Sequence, residues 1–427
     1  MKILHYVLGF PPARSGGLVG YTIDLMKEQL EYGHEVIALY PGKINIFKRR
    51  AYIKKDNQQV FNTYQIINSL PLPLFRGIKN PNDFMEPVSR QLYTEFLEKL
   101  SPQVIHVHTL MGIHLEFFES AKELKIPIVF TSHDYFGLAP EPNFFYKGKT
   151  YSDTNTVTDW VNASNEALET YKLRVLQLRC YPFIRKISNY KNFKPDLKGS
   201  VPKETELRRN YSDYEKLRLY YKKIFSLVDK YHFNSNLAKE VYEKNLKSKL
   251  DSKVITITNS KIKKRKLDKT ESNRVRIAYI GPAKDYKGFC DFKELSNLMR
   301  NESNFEFHTY GYYPHNKIHK VNQHGKYSPE DLDTVYKNID ILVVPSKWKE
   351  TFGLIVLEGI SYNTEVFSSR NVGASELLGE ENRFNSIKEL RKKIINKEYK
   401  GFETREMKNM KIHVKEIIEF YREARIL

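Results

Sequence analysis

Apolar runs of strand length alternate with segments of helical period twice along this chain, on either side of a lysine-rich break, and few folds accept that rhythm. Residues 2–8 read as a buried strand, followed by a Gly- and Pro-rich loop over 9–17. Val19, Ile23, Met26 and Leu30 then recur at helical spacing until Gly33 supplies a stop. Residues 36–39, 104–107 and 127–131 read as further strands, with a helix around 113–124 between the last two. Strands over 231–234 and 254–258, separated by a helix, continue the series. Strand, helix, strand in succession means a parallel sheet. From about 151 to 210 the pattern weakens into Tyr, Lys and Asn without a clear period, which reads as an insertion containing helices.

Residues 261–266, Lys-Ile-Lys-Lys-Arg-Lys, running on to Asn273, have the composition of a solvated linker. A second series begins at Arg276, with strands expected over 277–280, 305–310, 340–344 and 365–368 and helices after Lys287, Pro329, Gly353 and Gly373. The expected division is therefore 1–260, with the insertion at about 150–210, then 274–408. A last helix over 409–427 is expected to pack back on the first domain. A length of 427 residues also favours two cores.

A hydrophobic content of 41% with 28% charged residues is that of a soluble globular chain. No apolar run approaches the ~20 residues of a membrane-spanning helix, and Pro11-Pro12 cut the first apolar stretch too early for a signal peptide. A cytoplasmic protein is expected. Cys180 and Cys290 stand far apart, outside any metal-ligand spacing, and suggest neither a disulfide framework nor a zinc site. The 70 Lys+Arg against 51 Asp+Glu leave a net charge of +19, which calls for a polyanionic partner: anionic lipid, nucleic acid or a phosphate-bearing substrate.

The most informative stretch runs from Pro345 to Gly359. It follows a buried strand and so lies at the carboxyl end of a parallel sheet, where open α/β folds bind ligands. Glu350 precedes an expected helix, and Glu358 lies eight residues later, about two turns along it. Two carboxylates can accept hydrogen bonds from paired hydroxyls, one set on a sugar ring and the other on a ribose. A helix starting near Gly353 would also leave the N–H groups of Phe352, Gly353 and Leu354 free to meet oxygens. An arbitrary pair of helix glutamates is simply solvated; the surroundings decide here.

Those surroundings resemble the Glu-x7-Glu signature of family 4 glycosyltransferases, retaining enzymes of the GT-B fold. Pro345-Ser346 before the pair, Val372-Gly373-Ala374-Ser375-Glu376 after the next strand, and His324-Gly325-Lys326-Tyr327 as a nucleotide-base loop also match that family's pattern. The resemblance implies two Rossmann-like, doubly wound domains with the site in the cleft between them. It implies a ribose contact for Glu358, a place beside the transferred sugar for Glu350, and backbone donors at Phe352, Gly353 and Leu354. Lys287 would meet the pyrophosphate, stabilising the leaving group as charge develops, and Tyr327 belongs to the base loop. Many relatives carry an arginine where Pro282 stands; Lys284 is the nearest substitute, without arginine's bidentate geometry. Gly16-Gly17 resemble the loop that approaches the donor phosphate, and Thr131-Ser132-His133-Asp134-Tyr135 resembles the acceptor-side histidine loop, with His133 a hydrogen-bonding group and not a nucleophile.

Asp331-Leu332-Asp333 mimics a metal-binding Asp-x-Asp but falls in the helix expected after Ser328-Pro329, so no metal and no cofactor are expected. The implied partners are a nucleotide-sugar donor, with UDP the commonest carrier in the family, and a glycan, glycolipid or protein acceptor in surface-glycan synthesis. Between Lys43 and Lys55 six basic residues, Lys43, Lys48, Arg49, Arg50, Lys54 and Lys55, alternate with aliphatic and aromatic ones and no acid. This composition suits an anionic membrane surface at the inner face of the cell membrane. Two other readings compete: a GT-B-fold nucleotide-sugar epimerase, and a polyanion- or nucleic-acid-binding protein. Dispersed lysines and the lack of an aromatic-basic recognition motif count against nucleic acid.

Overall fold

The computed structural model describes the chain except residues 49, 58–59, 74–76, 179–203, 266–267, 315, 397–406 and 426–427. Its first half is built on β1 (Lys2–Tyr6), β2 (Glu35–Pro41), β3 (Tyr52–Asp56), β4 (Asn62–Ile67), β5 (Val104–Val107), β6 (Ile128–Thr131), β9 (Lys230–Phe233) and β10 (Ser252–Val254), with a short hairpin of β7 (Phe145–Tyr146) and β8 (Lys149–Thr150). The second half holds β11 (Val275–Ile280), β12 (Phe305–Tyr310), β13 (Val321–Gln323), β14 (Ile341–Val344), β15 (Glu365–Ser369) and β16 (Arg383–Phe384). In the same chain order the helices are α1 (Gly17–Glu31), α2 (Gln91–Leu100), α3 (Leu115–Glu123), α4 (Val157–Ala163), α5 (Thr170–Leu176), α6 (Glu204–Ser226), α7 (Asn236–Leu246), α8 (Phe289–Leu298), α9 (Leu332–Lys337), α10 (Leu354–Ser361), α11 (Ile387–Ile395) and α12 (Met410–Arg425).

Two sheets result, ordered β10-β9-β6-β5-β1-β2-β4-β3 and β13-β12-β11-β14-β15-β16. All pairings in them are parallel except β3 with β4. The strand order reverses beside β1 in one sheet and beside β11 in the other, and such reversals open the crevices where doubly wound sheets take ligands. Strands covered on both faces are apolar throughout, as in β14, where all four residues are buried. Together the two units make a GT-B fold.

The basic stretch 43–55 falls on two features: β3 occupies its end, where the antiparallel β3–β4 pair closes the sheet edge, and a loop precedes it. Lys54 and Lys55 are exposed there, a charge pattern that discourages edge-to-edge pairing. Only the preceding loop projects, with Ile46 and Phe47 at 68% and 90% exposure; Arg49 lies outside the described residues. After Gly373 the chain makes a five-residue 3-10 turn, Gly373–Leu377, instead of a helix. The insertion is described through α4, α5 and the start of α6, and its remainder, 179–203, lies outside the described residues.

Helix α12 lies against α1 and β6. Its residues Met410, Val414, Ile417, Tyr421 and Ala424 recur at three and four and are buried, so one stripe faces inward. Each fully buried aliphatic or aromatic side chain contributes roughly 1.5–3 kcal/mol. Polar bonds hold the two halves together. The Ser235 hydroxyl donates to the Thr351 carbonyl at 2.7 Å, and the Thr351 hydroxyl donates to the His133 carbonyl at 2.8 Å. The Glu376 carboxylate accepts from the Asn236 and Leu237 N–H groups at the start of α7, at 3.1 and 2.8 Å.

Candidate active site

The loop from Pro345 to Gly353 carries the chain from the carboxyl end of β14 into α10. Gly353 begins the helix at φ 92°, and a Cβ there would stand 2.5 Å from Val372 Cγ1, so neither the backbone nor the space admits a side chain. Glu350 is fixed by its backbone: its N–H donates to the Asn371 carbonyl at 2.7 Å and its carbonyl accepts from Gly373 at 3.0 Å. Its buried carboxylate lies 2.8 Å from Lys287 Nζ. Lys287 closes the turn Asp285–Lys287, and the following Gly288, at φ 75°, is pressed onto the same loop. A Cβ on Gly288 would fall 1.8 Å from the Pro345 carbonyl oxygen, so glycine is required for the approach. Lys347 bridges Asp285 at 2.8 Å and Asp291 at 2.9 Å, stapling the turn to α8.

Glu358 sits on the far side of α10. Its carboxylate accepts from the Tyr336 hydroxyl at 2.8 Å and lines a cavity of about 400 Å³ with Tyr327, Lys326, Lys261 and Leu332. Ile280, Gly281, Pro282 and Gly311 complete it at the carboxyl ends of β11 and β12. Burial raises the Glu358 carboxyl above its usual range, with the Tyr336 bond and the charges of Lys261 and Arg265 opposing. Burial likewise raises the Tyr327 hydroxyl, and the Glu358 charge adds to it. Lys284 is exposed and is not among the residues lining this cavity. The two aspartates that mimic a metal motif are already engaged: Asp331 accepts from the Ser328 N–H at 2.8 Å and Asp333 from the Tyr362 hydroxyl at 2.7 Å.

Across the cleft, Gly16 and Gly17 open α1; a Cβ on Gly17 would stand 3.7 Å from Leu354 Cδ1, so this loop faces the start of α10. His133 is partly buried, with its ring centroid 4.9 Å from that of Tyr21 and its Nε2 3.2 Å from His108 Nδ1. Burial and the nearby His413 lower its pKa to about 3, so the ring is neutral. The structure thus gathers Gly17, Leu354, Thr351 and His133 at one wall, and Lys287 with Glu350 at another. Glu358 and Tyr327 share the cavity beyond α10.

Two further groups stand out only in the structure. The Tyr135 hydroxyl and Trp348 Nε1 are buried donors without a partner among the described residues, their rings 6.1 Å apart in an edge-to-face arrangement. Trp348 lies beneath the Lys287 ammonium, 5.3 Å from its ring centroid. A donor buried beside charged groups without a partner costs free energy unless something supplies an acceptor.

Two doubly wound parallel sheets, with a cavity at the carboxyl ends of the second lined by Glu358, Tyr327, Lys261 and Lys326, have the architecture of the GT-B glycosyltransferase family. The chain belongs to that family: the model for "Glycosyltransferase Family 4" matches residues 15–165 and that for "Glycosyl transferases group 1" matches residues 262–409. An uncharacterized 42.6 kDa protein in the cps region of Klebsiella pneumoniae is 23% identical over 291 residues, covering 67% of this chain and 62% of that relative's own length. Among solved structures, the alpha,alpha-trehalose 6-phosphate synthase of Burkholderia multivorans aligns with a TM-score of 0.56 at 11% identity, over 99% of this chain and 96% of that one. The sucrose-phosphate synthase of Thermosynechococcus elongatus aligns at 0.51 and 13% identity over 99% of both chains. Anabaena HepE, solved with UDP, aligns at 0.51 and 13% identity over 100% and 98%. At these identities the likeness is one of fold.

Proposed function

We propose that this protein is a retaining, metal-independent glycosyltransferase that moves a sugar from a nucleotide-sugar donor, with UDP as the carrier, onto an acceptor in surface-glycan synthesis. The observation that carries this reading is the placement of Glu358 with Tyr327 in one cavity and of Glu350 on Lys287 at the other end of the same short loop and helix. Glu358 takes the ribose hydroxyls and Tyr327 borders the base. Lys287 turns toward the pyrophosphate, and Glu350, with the first-turn N–H groups of α10, faces the sugar. The C1–O bond to the diphosphate breaks as charge develops on phosphate oxygen, where Lys287 is most effective. The acceptor oxygen bonds to C1 on the face just vacated, and its proton passes to the departing phosphate oxygen. Gly16 and Gly17 let the first domain approach the donor, and closure of the cleft excludes water.

The first domain takes the acceptor. A cavity of about 570 Å³ there is lined in part by Arg50, Asn68, Glu86, His114 and Arg174, a set suited to phosphate and hydroxyl groups. The projecting loop with Ile46 and Phe47 between Lys43, Lys48 and Arg50 supplies apolar groups and cations for an anionic membrane surface. Among the described residues no helix is long and apolar enough to cross a membrane, so attachment would be peripheral. The relative in a cps region supports surface polysaccharide as the product's destination.

A thermal-shift panel of UDP-, GDP- and ADP-sugars tests the donor, because a ligand of the native state raises its melting temperature. Donor consumption with and without acceptor then separates transfer from epimerisation, which needs no second sugar.

A further inference from the structure

Five histidines from strands and loops far apart in sequence meet beneath the cleft: His5, His106, His108, His133 and His232. The sheet order explains the meeting, since β1, β5, β6 and β9 are neighbours and His5 is in register with His106, as Thr131 is with His232. His5, His106 and His108 bring one ring nitrogen each within 4.8 Å of the others, as a metal site would. Yet all six of their nitrogens already have partners.

The direction of every bond follows from one group that can only accept. His232 Nε2 is 2.7 Å from the Ile255 carbonyl, so it carries the hydrogen and Nδ1 is bare. The Thr131 hydroxyl must therefore donate to His232 Nδ1, at 2.8 Å, and accept from His106 Nε2, at 2.6 Å. His106 Nδ1 is then bare and accepts from the Tyr421 hydroxyl of α12, at 2.5 Å. Tyr421, its hydrogen spent, accepts from Gln29 Nε2 at 3.2 Å, which turns Gln29 Oε1 toward His5 Nε2 at 2.7 Å. His5 Nδ1 in turn accepts from His108 Nε2 at 3.0 Å, and His108 Nδ1 accepts from His133 Nε2 at 3.2 Å.

We infer that this one-way chain, passed on by Gln29 of α1 and Tyr421 of α12, holds His133 in a single tautomer. Its hydrogen is on Nε2, and Nδ1, which has no hydrogen-bond partner among the described residues, offers only a lone pair. His133 can then accept a hydrogen bond from a substrate hydroxyl but cannot donate one. Gln29, His5, His108 and Tyr421 become positioning residues. Their bearing on turnover rests on the transferase reading above. Burial keeps all five rings neutral, His5 down to about 4 and His133 down to about 3, which such a chain needs.

Two variants cut the chain at different links. Tyr421→Phe keeps the ring but lets Gln29 turn over; Gln29→Met removes the acceptor for His5. Either frees the His5, His108 and His133 run to reverse. Long-range proton–nitrogen correlation spectra of protein labelled with ¹⁵N-histidine report which ring nitrogen bears hydrogen, with the His133 signals identified by their loss in His133→Asn. The wild type is expected to show hydrogen on Nε2 alone, and each folded variant a mixture of tautomers. Losing one oriented hydrogen bond corresponds to a drop in kcat of about tenfold, with donor KM within about twofold. A wild-type hydrogen on Nδ1, variants that keep the single tautomer, or tautomer mixing with unchanged kcat would each overturn the inference. The spectra need no substrate, so absence of transferase activity would count against the function and leave the tautomer result standing.

Discussion

Lys287 Nζ and Glu350 Oε1 stand 2.8 Å apart, joining the turn after β11 to the loop after β14. Glu350 is the more buried partner, with 7% of its side chain exposed against 30% for Lys287. Removing only the lysine therefore strands a buried carboxylate, an effect that costs about 2 kcal/mol once partial exposure is allowed for. Lys287→Met is expected to melt below Glu350→Gln, and the double variant to regain much of the loss. Additive thermal shifts would show that the two do not interact.

Activity should separate the two acids. Glu358→Ala is expected to raise donor KM, and Glu350→Ala to lower turnover, each by about 1.5–3 kcal/mol for a charged hydrogen-bonding group. Steady-state kinetics that leave both constants unchanged in both variants would remove the pair from the site.

Acid should loosen the fold. His5 has its pKa lowered from 6.5 to about 4 and His133 to about 3, with His106, His108 and His232 well below their ordinary value. The unfolded chain binds more protons than the folded one in that interval, so stability is full above about pH 6.5 and falls as pH drops. At about 1.36 kcal/mol per unit, His5 alone withdraws about 3 kcal/mol by pH 4. Asp134, raised to about 6, and Glu365, raised to about 7, work the other way, since their folded forms take up protons first. Glu358, also raised by burial, joins them. His114, lowered to about 3, and His413, also lowered, add to the five histidines and outweigh the carboxyls. Melting temperatures should therefore decline steadily from pH 7 to pH 5; a flat or rising profile would contradict the neutral cluster.

Much of this architecture is legible in the chain because its strands are buried on both faces and stand out as continuous apolar runs. Edge strand β3 is not, since Lys54 and Lys55 give it the composition of a solvated loop. Glu350 and Glu358 are visible because they share one short loop and helix. The histidine chain is invisible because residues 5, 29, 106, 108, 131, 133, 232 and 421 become neighbours only through sheet order and the return of α12. Tyr135 and Trp348 lie in the two stretches singled out in the sequence, the histidine loop and the loop after β14, but their buried donors, unpartnered among the described residues, are visible only in the fold.

Chelation is expected to leave transfer intact, because in the proposed site Lys287 and the start of α10, not a cation, offset the diphosphate. Activity assayed in excess chelator, then with magnesium or manganese restored, decides this; a loss reversed by metal would refute it.

Vesicle co-sedimentation at low and physiological salt tests the projecting loop. Each basic residue near an anionic surface contributes about 1 kcal/mol, so Lys48→Ser/Arg50→Ser should bind phosphatidylserine vesicles roughly tenfold or more weakly, and Phe47→Ser should weaken binding at both salt concentrations. Equal binding by wild type and variants would clear this loop of the role.

Nucleotide binding at Glu358 is the step on which the proposed function most directly depends. Calorimetric titration of UDP into the wild type and Glu358→Ala is predicted to show one saturable site in the first and a loss of affinity of about tenfold or more in the second. Absence of binding by the wild type to UDP, or equal affinity in the two proteins, would contradict it.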